Sequence, residues 1–142
     1  MPKRDFTIQT VSEDETIEAG RRLASGLKGV VLLKGELGAG KTTLVRGIVA
    51  GIPGAHAGEV SSPTFTLVHE YGAGVFHLDL YRLEGPRDLD SLEIDEIFDT
   101  ARLALVEWGE KLGSHRPEKA SEIHIDHAGE DRRTIHVLLE EE

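Results

Sequence analysis

Residues 30–43, Val30-Val31-Leu32-Leu33-Lys34-Gly35-Glu36-Leu37-Gly38-Ala39-Gly40-Lys41-Thr42-Thr43, constrain the fold more than any other stretch of this chain. Four consecutive apolar residues read as a short strand buried on both faces. Gly35, Gly40, Lys41 and Thr42 then complete G-x-x-x-x-G-K-[ST], the pattern of a phosphate-binding loop between a strand and a helix. Glycines allow backbone conformations that a Cβ forbids, so successive N–H groups can turn inward around a polyphosphate. A lysine at position 41 supplies a compact positive charge for the β- and γ-phosphates, and the hydroxyl of Thr42 suits Mg²⁺. The helix that follows adds its positive dipole end beneath the anion. A plain Gly-rich turn is the competing reading. It is disfavoured because the motif sits between strand-like and helix-like runs.

The remaining chain supplies the parts such a loop needs. Phe6 to Thr10 alternates and predicts an edge strand. Ser12-x-x-Glu15 has capping-box spacing and starts a helix over about 13–27, with Gly29 as its stop. Leu44, Val45, Ile48 and Val49 keep a helical period up to Gly51. Phe65–Tyr71 and Val75–Tyr81 form a predicted hairpin about Gly72-Ala73-Gly74. The acidic stretch from Pro86 onward predicts a helix with Leu89, Leu92 and either Glu93 or Ile94 turned inward. Arg102–Val106 is a buried strand, and Glu122–Asp126 with Thr134–Leu138 makes a second hairpin. A parallel core with helices on both faces follows, with antiparallel additions. The expected class is an α/β, P-loop NTPase-like three-layer sandwich with a mixed, mainly parallel central sheet, in one domain over residues 1–142, of which 140–142 fray.

Composition narrows the partners. Acidic residues outnumber basic ones 26 to 16, giving a formal charge of −10, so unaided nucleic-acid binding is disfavoured. The basic pairs Arg21-Arg22 and Arg132-Arg133 read as solvated faces. With no cysteine in the chain, disulfides, Cys–zinc sites and thiol catalysis are excluded. No apolar run approaches the ~20 residues of a membrane helix, and the N-terminus lacks a signal-peptide core, so a cytoplasmic protein is expected.

A phosphate loop needs an acidic partner for its metal at the C-terminal end of a neighbouring strand. Glu107, after four apolar residues, is the better metal partner, and Asp79 can orient water. His77 and Asp79 share a strand face but lack a third ligand nearby, so they are not read as a metal pair. Ser62-Pro63-Thr64-Phe65 suits a loop whose hydroxyl senses the γ-phosphate or the metal. Trp108, the sole tryptophan, is expected in the core on composition alone.

Gly35 to Thr43, then Ser62-Pro-Thr-Phe65, His77-Leu-Asp-Leu-Tyr-Arg82 and Val106-Glu-Trp108, in this order and spacing, resemble the bacterial TsaE (YjeE) family of small P-loop ATPases. The resemblance spans about Thr10 to Val137. It implies a Mg-dependent ATPase needed for threonylcarbamoylation of adenosine 37 in tRNAs that read ANN codons. The implied partners are TsaD and TsaB, with tRNA held only through that complex, and a monomer or weak self-association otherwise. Carried over by position, Glu36, Leu37, Gly38, Ala39, Gly40, Lys41, Thr42 and Thr43 line the ATP phosphates. Thr10, Ser12 and Thr16 lie by the adenine, and Thr42 and Glu107 hold Mg²⁺. Lys41, Asp79 and Glu107 are the catalytic set, while Ser62, Thr64, Tyr81 and Trp108 belong to the ATP-responsive or partner surface. Two departures stand out: Gly109 where the family usually has Pro, expected to loosen the turn after Trp108, and Glu36 where Asp is commoner. A small-molecule kinase and a nucleotide-dependent binding switch are the alternatives. No Arg-rich lid supports the kinase.

Overall fold

The structure, a computed structural model, describes residues 3–36, 39–60, 68–81 and 93–140. Strands β1 (Lys3–Thr10), β2 (Gly29–Lys34), β3 (Val68–Glu70), β4 (Val75–Asp79), β5 (Leu103–Glu107), β6 (Ser121–His127) and β7 (Arg133–Glu140) form one sheet. Its order is β1-β7-β6-β2-β5-β4-β3. The helices are α1 (Glu13–Leu23), α2 (Lys41–Ala50) and α3 (Ile94–Thr100), with 3₁₀ turns at Ala24–Gly26, Ala57–Glu59 and Gly109–His115.

The sheet is mixed, as expected, but it is not mainly parallel. β6, β2, β5 and β4 pair in parallel, whereas β1–β7, β7–β6 and β4–β3 pair antiparallel. The reason is topological. The chain's last hairpin lies beside β2 and captures the N-terminal strand, so one whole flank of the sheet is built from hairpin-type pairs.

Alternate residues of β2 serve opposite faces. Val31 and Leu33 join Ala19 and Leu23 of α1, and Leu44, Val45, Ile48 and Val49 of α2, in one cluster. Val30 and Leu32 join Leu78, Leu80, Ile94, Val106 and Leu112 in the other. That is why the central strands lack alternation: both sides are covered by helix or turn, so apolar residues are favoured at every position. Of Glu93 and Ile94 it is Ile94 that is buried and Glu93 that is exposed, while Leu89 and Leu92 lie outside the described residues.

Ser12 caps α1, its Oγ accepting from the Glu15 N–H at 3.1 Å, and Glu15 reciprocates by accepting from the Val11 N–H at 3.0 Å. The α-helix stops earlier than its apolar spacing suggested. It gives way at Ala24 to a 3₁₀ turn, and Gly29, at φ 69°, opens β2 rather than closing α1. The α1–α2 pair packs backbone to backbone. A Cβ on Gly47 would sit 2.2 Å from the Ile17 carbonyl oxygen, and one on Gly20 would sit 2.6 Å from that of Leu44. This contact fixes where α2, and so Lys41 at its start, lies against the sheet.

Candidate phosphate and metal site

β2 ends at Lys34 and α2 begins at Lys41, with a tight turn between them in which the Ala39 N–H donates to the Glu36 carbonyl at 3.0 Å. Gly40 is the N-cap of α2 at φ 100°, ψ 18°, a left-handed geometry that strongly favours glycine. It has no side chain to cap the helix. Gly35 is held by space instead: a Cβ there would lie 2.5 Å from the Ile125 carbonyl oxygen. Backbone therefore approaches backbone closely at Gly35, whereas Gly40 is set by its left-handed conformation, with the side chains of Arg133 and Ile125 around it. Leu37 and Gly38, expected to line the phosphates, lie outside the described residues, as do Ser62 and Thr64.

β4 and β5 run parallel beside β2 and end together, with Asp79 and Glu107 in register. Lys41 at the helix start meets this pair. Its Nζ lies 3.5 Å from Glu107 Oε1, with both side chains largely buried. Burial alone would push the Glu107 carboxyl up, but the hydrogen bond and charge of His77, with Lys41, outweigh it and hold the group below its ordinary range. Asp79 goes the other way. Burial and the neighbouring Glu107 raise it, although the Tyr81 N–H donates to its Oδ1 at 3.0 Å. The three residues expected to form the catalytic set are thus brought to one place, carrying a cation, an ionised carboxylate and a carboxyl with raised proton affinity.

Behind Glu107 stand two residues that the sequence reading did not assign to the site. The His77 Nε2 lies 2.6 Å from Glu107 Oε2, and the Tyr71 hydroxyl lies 3.0 Å from His77 Nδ1. Both side chains are buried. The sequence signal was the strand face shared by His77 and Asp79, but only the β4–β5 register shows that Glu107 is what His77 meets. A third missed residue is Arg133. Its Nε donates to the Ala39 carbonyl at 2.8 Å, and its Nη1 donates to the carbonyls of Glu130 and Arg132. Arg133 therefore braces the turn before α2 and is not a solvated face, whereas Arg21 and Arg22 are exposed and paired with Glu18.

Thr16, Gly40, Thr43, Glu13, Asp131 and Arg133 line a cavity of about 130 Å³ beside the loop. The hydroxyls of Thr10 and Thr16 lie 2.7 Å apart and are buried, and Ser12 uses its own as the helix cap. Thr16 and Thr43 border this cavity, while Glu36 is exposed and not among its lining residues. Trp108 is not a core residue. It is 39% exposed and, at φ 62°, turns outward to meet Tyr81, the ring centroids 5.0 Å apart. The chain folds back directly after it because Gly109 is buried against Leu32, where a Cβ would come within 2.8 Å of Leu32 Cδ2. Gly109 therefore packs closely rather than loosening the turn.

The sequence matches the family model described as "Threonylcarbamoyl adenosine biosynthesis protein TsaE" over residues 10–135. The chain belongs to the TsaE family. Among its relatives, the "tRNA threonylcarbamoyladenosine biosynthesis protein TsaE" of Haemophilus influenzae is 44% identical over 114 residues, 78% of this chain and 70% of that protein. The TsaE protein of Bacillus subtilis is 37% identical over 132 residues, covering 89% of this chain and 81% of its own length. The crystal structure of Bacillus subtilis YdiB superposes with a TM-score of 0.76 at 29% identity, covering 99% of this chain and 89% of that one. This TsaE-family chain is therefore placed in tRNA threonylcarbamoyladenosine biosynthesis. Among the described residues, no helix is long and apolar enough to cross a membrane.

Proposed function

We propose that this chain is a P-loop ATPase that binds ATP with Mg²⁺ and acts with the TsaD–TsaB pair in threonylcarbamoylation of adenosine 37 of tRNA. The observation that carries the reading is the meeting of Lys41 Nζ and Glu107 Oε1 at 3.5 Å, where the start of α2 faces the end of β5. The chain's own groups fit the ligands. Gly40 is left-handed and Gly35 is close-packed, so neither position takes a side chain, and the positive end of α2 favours an anion there. Thr42 in the first turn and Glu107 on β5 are oxygen donors of the kind Mg²⁺ takes. Thr42 and Glu107 would hold Mg²⁺, which would supply positive charge to offset what develops on the phosphates.

The remaining chemistry belongs to the protein. Lys41 exchanges its contact with Glu107 for the phosphates, which frees Oε1 of that carboxylate to face the metal. Asp79, at the end of the adjacent strand, has the raised proton affinity expected of a group that orients an attacking water. Arg133 keeps the loop in place through the Ala39 carbonyl. Tyr81 and Trp108 present an exposed aromatic pair next to Asp79 and Glu107, a position from which a docked partner can respond to the site. The acidic balance of the chain fits a protein that leaves tRNA binding to its partners.

The reading is tested by ATP turnover with and without TsaD–TsaB. Slow turnover alone, a rise with both partners and loss in Lys41→Ala and Glu107→Ala are expected. Full activity in either variant would refute it.

A further inference from the structure

Glu107 has two oxygens, and each has its own buried neighbour. Oε1 faces Lys41, the group that leaves for the phosphates, whereas Oε2 lies 2.6 Å from His77 Nε2. An ionised carboxylate only accepts hydrogen bonds, so Nε2 carries the proton and donates. The ring cannot swing to release it. His77 is on the central face of β4, 1% exposed, and its other nitrogen is met by the Tyr71 hydroxyl at 3.0 Å. Tyr71 is itself 2% exposed and sits just before the β3–β4 turn, its N–H donating to the Val75 carbonyl at 2.9 Å and its carbonyl accepting from the His56 N–H. Each member of the chain is thus held by the one behind it.

We infer that His77, oriented by Tyr71, is a positioning residue that pins Oε2 of Glu107 so that Oε1 is the oxygen presented to the metal–phosphate site. The inference rests on the reading of this site as one for Mg-ATP. A merely structural histidine would be interchangeable with any side chain that fills the space. A positioning histidine needs a donor at the place of Nε2. Glutamine carries its amide nitrogen about as far from Cα as Nε2 and can replace it. Asparagine ends one bond short, near Nδ1, and cannot. The difference should fall on the metal-dependent part of binding, because the carboxylate that His77 holds is the one read as the Mg²⁺ ligand.

Equilibrium binding of ATP to the full chain, measured by calorimetry with and without Mg²⁺, separates the cases. His77→Ala and His77→Asn are expected to lose about tenfold in affinity for ATP with Mg²⁺, the scale of one hydrogen bond to a charged group, with metal-free ATP changed less than about twofold. His77→Gln is expected to recover most of the loss, and Tyr71→Phe to lose about threefold, its ring kept and its hydroxyl removed. Thermal unfolding in metal-free buffer checks that each variant is folded, and His77→Gln carries the test if His77→Ala is not. Equal Mg²⁺-dependent affinity in all His77 variants, or equal weakening by Gln and Asn, would overturn the inference while leaving the ATPase reading intact. Absence of Mg-ATP binding by the unmodified chain would overturn both.

Discussion

Replacing Gly47 by Ala tests how the fold sets the position of the site. The new Cβ would lie 2.2 Å from the Ile17 carbonyl oxygen and 2.9 Å from the Ile17 carbonyl carbon and Cα, where ordinary contact begins at 3.4 Å. The obstacle is backbone, so no side chain can rotate away, and α1 and α2 must separate by about 1 Å. Overpacking of this kind costs about 3 kcal/mol, at the upper end of its usual span, or more. Alanine's better helix propensity offsets about 1 kcal/mol. The net loss is about 2 kcal/mol, which corresponds to a fall of about 4–8 °C in the unfolding midpoint for a chain of this size. Urea unfolding followed by circular dichroism measures it, with Gly58→Ala, whose Cβ would meet nothing within 4 Å, as the neutral control. Because α2 carries Lys41, nucleotide affinity is expected to fall as well. A Gly47→Ala chain as stable as the original would refute the argument that close helix contact sets the position of α2.

Two further outcomes follow from local chemistry. Ser12→Ala removes the cap of α1 and is expected to cost about 1 kcal/mol in urea unfolding, without altering Mg²⁺ dependence. The two strand-end carboxyls should give opposite pH behaviour in metal-free buffer. Glu107 is depressed on folding, so its stabilisation is present above its ordinary value of 4.5 and is lost as pH falls through the folded value. The deficit of Glu107→Gln should therefore shrink on acidification. Asp79 is raised on folding, so ionising it costs stability at neutral pH. Asp79→Asn should be the more stable form at neutral pH and lose that advantage as the pH falls, measured by chemical unfolding between pH 7 and pH 3.

The parts of this protein that were legible in its sequence are those written locally. Val30 to Leu33 could only be a strand covered on both sides, and Gly40-Lys41-Thr42 could only start a helix at a special turn. Glu107 was readable as the carboxylate ending a buried strand, the first hairpin from its Gly72-Ala73-Gly74 turn and the last from alternation. What was hidden depends on register and strand order. His77 lies thirty positions from Glu107 in sequence, and their contact exists because β4 pairs with β5 with Asp79 opposite Glu107. Arg133 looked like half of a solvated basic pair until the last hairpin was placed beside β2, which carries it to the Ala39 carbonyl. Trp108 looked like core because tryptophan usually is. Its left-handed backbone, with Gly109 packed beneath it, turns the ring outward instead.

The central claim is that Lys41 and Glu107 form a nucleotide phosphate and metal site. Calorimetric titration of the chain with ATP in the presence of Mg²⁺, set beside Lys41→Ala, tests it most directly. Saturable binding at one site per chain, abolished by Lys41→Ala in a protein that still unfolds cooperatively, is the predicted result. Equal affinity in the two proteins would contradict the account, since nothing then would tie the phosphates to the start of α2.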